Sequence, residues 1–246
     1  MFDPEVSAIE PLLIAWRRHM HQNPEVSFEE TQTTRFLEEQ LRGFGVDRID
    51  RPTKTGLVAQ IFGKKAGKPA VAAFRADIDA LPMQEENDLP YCSRSAGVMH
   101  ACGHDGHAAM LLSLAQLLCE HRDHFCGEAR LLFQHAEELP PGGAIELVRA
   151  GVMEGAEAVF GLHLSSNFDT GVFAFKSGVL TSNVDRFTIT VTGRGGHCAF
   201  PEQCADPLLA ASEIVLSLQS IVSRRIPANE PAVVSVCEFH AGTAYN

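Results

Sequence analysis

Apolar residues recur at helical spacing through residues 5–22, and Pro4 stands where a helix can begin, so a first helix is expected there. Ser27-Phe28-Glu29-Glu30 has the form of a capping box and predicts a second helix running to about Gly43. Residues 57–62 and 70–74 read as strands, the second a continuous apolar run of the kind found in a sheet covered on both faces. Gly63 to Pro69, between them, reads as a hairpin turn. A helix over about 106–120, a strand over 129–134, a helix over 144–150 and a strand over 158–164 follow in turn. Strands alternating with helices predict an α/β fold with a mixed, largely parallel sheet flanked by helices.

The pattern changes near Gly178. Residues 185–192 alternate with period two, as in a half-exposed strand. Asp206-Pro207 then opens a long helix reaching about Arg225, and 233–239 reads as another strand. Two domains are therefore expected, residues 1–180 and a smaller α+β domain over 181–246.

Composition narrows the function classes. The chain has 246 residues with 20 basic and 31 acidic side chains, a formal charge of −11. An acidic surface without a Lys/Arg stripe argues against nucleic acid and favours a small-molecule ligand. No apolar run approaches the ~18 residues that would cross a bilayer, and Met1-Phe2-Asp3-Pro4-Glu5 is acidic where a secretory leader would be basic. A cytoplasmic location without membrane attachment is expected. Seven cysteines, at 92, 102, 119, 126, 198, 204 and 237, form no C-x-x-C pair, which argues against a disulfide framework and a zinc ribbon. Cys119, following an apolar run, is read as core packing.

The densest chemistry is His100-Ala101-Cys102-Gly103-His104-Asp105-Gly106-His107. Thiol and imidazole are favoured zinc ligands, and a Cys-x-His spacing in a glycine-containing loop lets Cys102 and His104 turn toward one ion. The alternative is a loop whose histidines cap the following helix, a role with no use for the thiol. Glu137-Glu138 follows a strand directly, and adjacent carboxylates at a strand end repel unless a cation lies close. One can ligate while the other moves a proton, the division that metal-assisted hydrolysis needs; a solvated surface pair is the competing interpretation. Asp77, Glu137, Glu138 and His163 all fall at or just past the carboxyl ends of expected strands, where parallel α/β sheets place their ligand crevice. Gly63-Lys64-Lys65-Ala66-Gly67-Lys68-Pro69 is too short for a phosphate loop and lacks Ser/Thr. The motif pieces of zinc deaminases are absent. His197, after Gly193-Arg194-Gly195-Gly196, reads as a turn histidine.

Over nearly its whole length the sequence resembles metal-dependent amidohydrolases of the aminoacylase/carboxypeptidase family, in the branch of hippurate hydrolase and indole-acetyl-amino-acid hydrolase. The matching stretches are Arg75 to Pro82, Cys102 to His107, Ala136-Glu137-Glu138, Gly161-Leu162-His163, Gly195-Gly196-His197, Asp206-Pro207, Val222-Ser223-Arg224 and Gly242 to Asn246. The resemblance implies a zinc-peptidase-like catalytic domain, a smaller lid or dimerisation domain, and hydrolysis of N-acyl amino acids. It implies two divalent ions, zinc or manganese, with Cys102 bridging and His104, Glu138 and His163 as further ligands. Glu137 would be the general base, Asp77 an orienting carboxylate behind the ligands, and His197 and Asn246 substrate-binding residues. Because in some relatives that histidine serves a neighbouring subunit, the resemblance also allows a homo-oligomer. His135 and Glu202 stand where the family more often has proline and histidine. Relatives continue past the position of Asn246, finish the smaller domain and supply a last histidine ligand, which His240 does not replace; the smaller domain is expected to be incomplete. The competing expectation is a shortened, catalytically silent relative that binds metal or a partner without turnover.

Overall fold

The computed structural model describes residues 4–181 and 183–246, so Met1, Phe2 and Asp3 of the acidic start lie outside the described residues. The chain divides into two compact units, Met1–Asp169 and Thr170–Asn246.

The first unit is built on five strands: β1 (Arg48–Asp50), β2 (Leu57–Lys64), β3 (Val71–Asp77), β4 (Cys126–Gln134) and β5 (Ala158–Gly161), in the order β1-β2-β4-β3-β5. β4 runs parallel to β3 and antiparallel to β2; β5 is parallel to β3 and β1 antiparallel to β2. The α/β class and the mixed sheet agree with the sequence, but parallel pairings make up only half. Gly63 to Pro69 is not a hairpin turn, because β2 and β3 are separated by β4. β4 is buried from Ala129 through Gln134, and a strand apolar on both faces belongs inside the sheet rather than at its edge.

Period-two alternation sorts side chains between the two faces. Leu57, Ala59 and Ile61 of β2 and Ala129, Leu131 and Phe133 of β4 enter the main core. They meet Ile9, Trp16 and Met20 of α1 (Pro4–Gln22), Leu37 and Leu41 of α2 (Thr31–Phe44), and Ala108, Leu112 and Ala115 of α3 (His104–Glu120). The intervening Val58, Ala73 and Leu132 face the other way, onto Val152, Met153 and Ala156, which follow α4 (Gly143–Arg149). Cys119 packs against the main core.

The expected capping box is not formed. Ser27 Oγ donates instead to Asp79 Oδ2 (2.7 Å), and the Glu25 carboxylate accepts the Gln32 and Thr33 amides at the start of α2. Glu30, fully buried, points inward: its carboxylate accepts the Ala136 N–H (2.7 Å) and the Thr55 hydroxyl (2.7 Å). Ala136 has φ +46°, a left-handed backbone uncommon for a residue with a Cβ. Its N–H is held by Glu30 and its carbonyl accepts the Gly143 N–H (2.9 Å), so the turn into Glu137 is fixed from both sides.

In the second unit α5 (Pro207–Arg225) is capped by Asp206, whose carboxylate accepts the Leu208 and Leu209 amides. Over 185–192 and 233–239 the backbone forms no strand, contrary to expectation. Alternation makes a strand only where a neighbour supplies hydrogen bonds, and the pairing among the described residues here is the single bridge Arg194↔Ala205. No described residue of this unit is buried, and Phe173, Phe175, Val184, Leu216 and Val233 stand exposed.

Glu30→Ala should strip two buried donors of their acceptor and lower the unfolding free energy by roughly 3 kcal/mol, read from urea denaturation. Glu30→Gln, which keeps an acceptor oxygen, should lose clearly less.

Candidate metal centre

The parallel strands β3 and β4 end side by side, with Asp77 opposite Gln134. Asp79 follows β3, Glu137 and Glu138 follow β4, and His163 lies two residues past β5 rather than within it. Gly103, at φ +88°, turns the chain from Cys102 into α3, whose first residue is His104. The topology thus delivers the donors to one edge.

Cys102, His104 and His163 each present a donor atom within 4.8 Å of the other two; His104, Glu137 and Glu138 do the same, and so do Asp77, His104 and His107. His104 belongs to all three groups and is almost completely buried. Its Nδ1 lies 2.9 Å from the Asp79 carbonyl and 3.2 Å from Asp79 Oδ1, so the ring proton sits on Nδ1 and the Nε2 lone pair faces the cluster. That Nε2 has no hydrogen-bond partner; Asp77 Oδ2 and Glu138 Oε1 stand 3.7 and 3.8 Å away. His163 Nε2 approaches Cys102 Sγ at 3.4 Å, while its Nδ1 donates to the Leu164 carbonyl. His107 is different: Nδ1 donates to Asp77 Oδ1 (2.6 Å) and Nε2 accepts the Leu164 N–H (2.8 Å), leaving no lone pair for an ion.

The electrostatics call for positive charge. Burial, then the neighbouring Glu138 carboxylate, push the Cys102 thiol up to about 12, and burial also raises Glu138. Burial opposes a charged His104, but its bond to Asp79 and the nearby Asp77 outweigh that and raise it. Burial likewise opposes the Asp79 anion, yet bonds from His104, Ser27 and the Glu138 and Glu137 amides hold it down at about 2. Asp77, lowered despite burial by His107 and Arg75, pairs with Arg75 Nη1 at 2.7 Å. A buried imidazole nitrogen without a partner, a thiol and two carboxylates in one cluster fit a divalent cation, which would stabilise the thiolate and occupy the orphan nitrogen together.

Of the residues singled out from sequence, Asp77, Cys102, His104, Glu137, Glu138 and His163 are brought together in the first unit. His197 and Asn246 lie in the second and are exposed; His197 Nδ1 accepts the Ala199 N–H (3.1 Å). Sequence reasoning placed Asp79 with Asp77 past the strand but gave it no role, and missed both its position directly behind His104 and the working partners of His107. The Asp77-x-Asp79 spacing past a strand was the available signal. His135, fully buried, contacts Glu146 Oε2 (3.0 Å) through Nε2.

A second buried network anchors the start of α3. His21 reaches Asp105 Oδ2 through Nδ1 (2.7 Å) and Glu85 Oε1 through Nε2 (3.1 Å), and Arg17 pairs with the same Asp105 oxygen (2.8 Å). Glu85 also accepts the Ser93 N–H (2.6 Å) and the Asn87 amide (3.0 Å). His100 lies beside it, its ring centroid 6.5 Å from that of His21, and burial drives it down to about 4.

Sulfur, nitrogen and oxygen donors gathered at the carboxyl edge of a mixed sheet define a metallopeptidase-like α/β protein. The chain belongs to peptidase family M20/M25/M40, whose model matches residues 73–244. It is 49% identical over 241 residues to an N-acyl-L-amino acid amidohydrolase of Geobacillus stearothermophilus, covering 98% of this chain and 65% of that protein. It is 43% identical to an N-acetylcysteine deacetylase of Bacillus subtilis, covering 95% of this chain and 61% of the relative. Among solved structures it resembles the YXEP protein of Bacillus subtilis, described as a dinuclear metal binding peptidase from the M20 family. That match has a TM-score of 0.70 and 34% identity, over 98% of this chain and 61% of the other. The chain spans a little under two thirds of the length of these relatives.

The anchoring network gives a pH dependence of stability. Burial opposes the Glu85 anion, but the Ser93 amide, Asn87 and His21 lower it from 4.5 to about 2; its contribution is complete above about 4.5 and lost as pH falls toward 2. His21 is raised above 6.5, chiefly by Asp105, so its contribution is complete below that value and lost as pH rises through the folded one. The thermal midpoint should fall on both sides of that window, and His21→Gln should flatten the alkaline side.

Proposed function

We propose that this chain carries the catalytic centre of an amidohydrolase that cleaves the amide bond of N-acyl amino acids, acetyl-amino acids or hippurate-like compounds. The observation that carries the reading is the orphan Nε2 of His104, on a residue whose donors group both with Cys102 and His163 and with Glu137 and Glu138. The N-acyl amino acid relatives point to the same substrate class.

Cys102, His104, Glu138 and His163 would hold two divalent ions; the thiolate suits zinc and the carboxylates accept manganese. When bound, such ions polarise the scissile carbonyl and ease the loss of a proton from water. Glu137, the exposed member of the pair, takes that proton as general base and returns it to the leaving amine. Glu138 has its amide on Asp79 and its carboxylate facing His104 and Cys102, which supports a holding role rather than proton transfer. Asp79 keeps His104 in the ligating tautomer, and Asp77 acts behind the ligands through His107. His197 and Asn246, in a smaller lid or dimerisation domain, would bind the substrate's carbonyl or carboxylate. A cytoplasmic setting and association into a homo-oligomer complete the reading. The seven unpaired thiols suit a reducing compartment.

Elemental analysis of the purified chain should find two ions of zinc or manganese, and Cys102→Ser should lower that number. Glu137→Ala should keep the metal yet lose roughly 10²–10⁴-fold in kcat on acetyl-amino acids. Unchanged turnover in that variant would overturn the assignment of the base. Metal binding without any turnover in the unaltered chain would favour the silent-relative reading instead.

A further inference from the structure

Past Gly161, where β5 ends, the segment bearing His163 leaves the sheet, and residues 162–169 are exposed. Among the described residues its hydrogen bonds to the rest of the first unit are two. One is the Cys102–His163 contact itself; the other is the Leu164 N–H to His107 Nε2. Within the segment the Leu164 carbonyl accepts the His163 Nδ1 proton (2.5 Å). That bond leaves His163 Nε2 as the free nitrogen and aims it at Cys102.

His107 can do this because its own tautomer is fixed. Nδ1 carries the proton and gives it to Asp77 Oδ1, so Nε2 is an acceptor, and the ring is buried in α3. Its centroid lies 4.7 Å from that of His163, edge against face. A second contact works in the same direction. A Cβ on Gly106 would come within 2.6 Å of Leu164 Cδ1, and one on Gly103 within 3.4 Å of Leu164 Cβ. The missing side chains let Leu164 lie against the start of α3.

We propose that His107 is a positioning residue for the metal centre: through Asp77 on one side and the Leu164 amide on the other, it latches the exposed His163 segment into ligating position. Gly106 supplies the seat for Leu164. The inference rests on the reading of Cys102, His104 and His163 as metal donors, and deepens it. His107 is then distinct from a ligand, since both of its nitrogens are committed.

The test is a cobalt(II) titration of the full chain, following thiolate-to-metal absorption for Cys102 and the visible bands for coordination geometry, with chelator competition for affinity. His107→Ala should weaken cobalt binding roughly 10–100-fold and shift the visible bands as His163→Ala does, with the thiolate absorption retained. Adding His107→Ala to His163→Ala should cost less than about threefold more, because both remove one contribution. His107→Gln, which restores an acceptor for the Leu164 amide, should recover most of the affinity. That rescue would separate the latch from a general loss of folding. Gly106→Ala should mimic the weakening, and Leu164→Ala should relieve it. Equal binding by wild type and His107→Ala, or multiplying effects in the double variant, would overturn the latch alone. A wild-type chain without thiolate–cobalt absorption would overturn the metal-centre reading and the latch with it.

Discussion

Asp79 is where distant parts of the first unit meet. One oxygen accepts the Ser27 hydroxyl and the Glu138 amide; the other, with the backbone carbonyl, takes the proton of His104 Nδ1. The approach to α2, the start of α3 and the turn after β4 are therefore tied to the end of β3 by one ionised group. A buried carboxylate stays charged only when several donors face it, and here those donors belong to the segments that carry the cluster. The orientation of His104 and the position of Glu138 are consequences of satisfying Asp79.

Charge then builds up around the tip of His104. Asp77, Glu137 and Glu138 crowd a thiol and two imidazoles, and the arrangement raises the Cys102 thiol and Glu138 as it lowers Asp77 and Asp79. Arg75 offsets part of this by pairing with Asp77 Oδ2, the oxygen that stands nearest His104 Nε2. What remains is a concentration of acceptors for which a divalent cation is the natural complement, as the family membership leads one to expect. The rigid parts of the cluster come from Asp79, Glu30 and the paired strands. The His163 side, past the edge strand β5, depends on contacts with α3 instead.

Much of the first unit was legible in the sequence. The periodicity placed α1, α3, α4, β2, β3 and β4, because each buries a side and so repeats at its own period; β5 was also expected, although it is exposed along its length. The Cys102-x-His104 pair and Glu137-Glu138 stood out because their chemistry is costly to assemble without a purpose. The misreadings have local causes. Ser27 and Glu30 match a capping box in spacing, but buried partners at Asp79, Thr55 and Ala136 claimed their side chains. Gly63 to Pro69 has the composition of a hairpin turn, and nothing local reveals that β4, more than fifty residues onward, inserts between the strands it joins.

By itself the sequence determined the alternation of elements, the donor types and their arrival at strand ends, since these depend on residue identity and on periods of two and 3.6. Only the tertiary structure decided which carboxylate stands behind which imidazole. Asp77 and Asp79 are two residues apart and chemically identical, yet one meets His107 and the other His104. That choice is made by the twist and register of β3 against β4 and α3, which bring together residues far apart in the chain and leave no trace in local spacing.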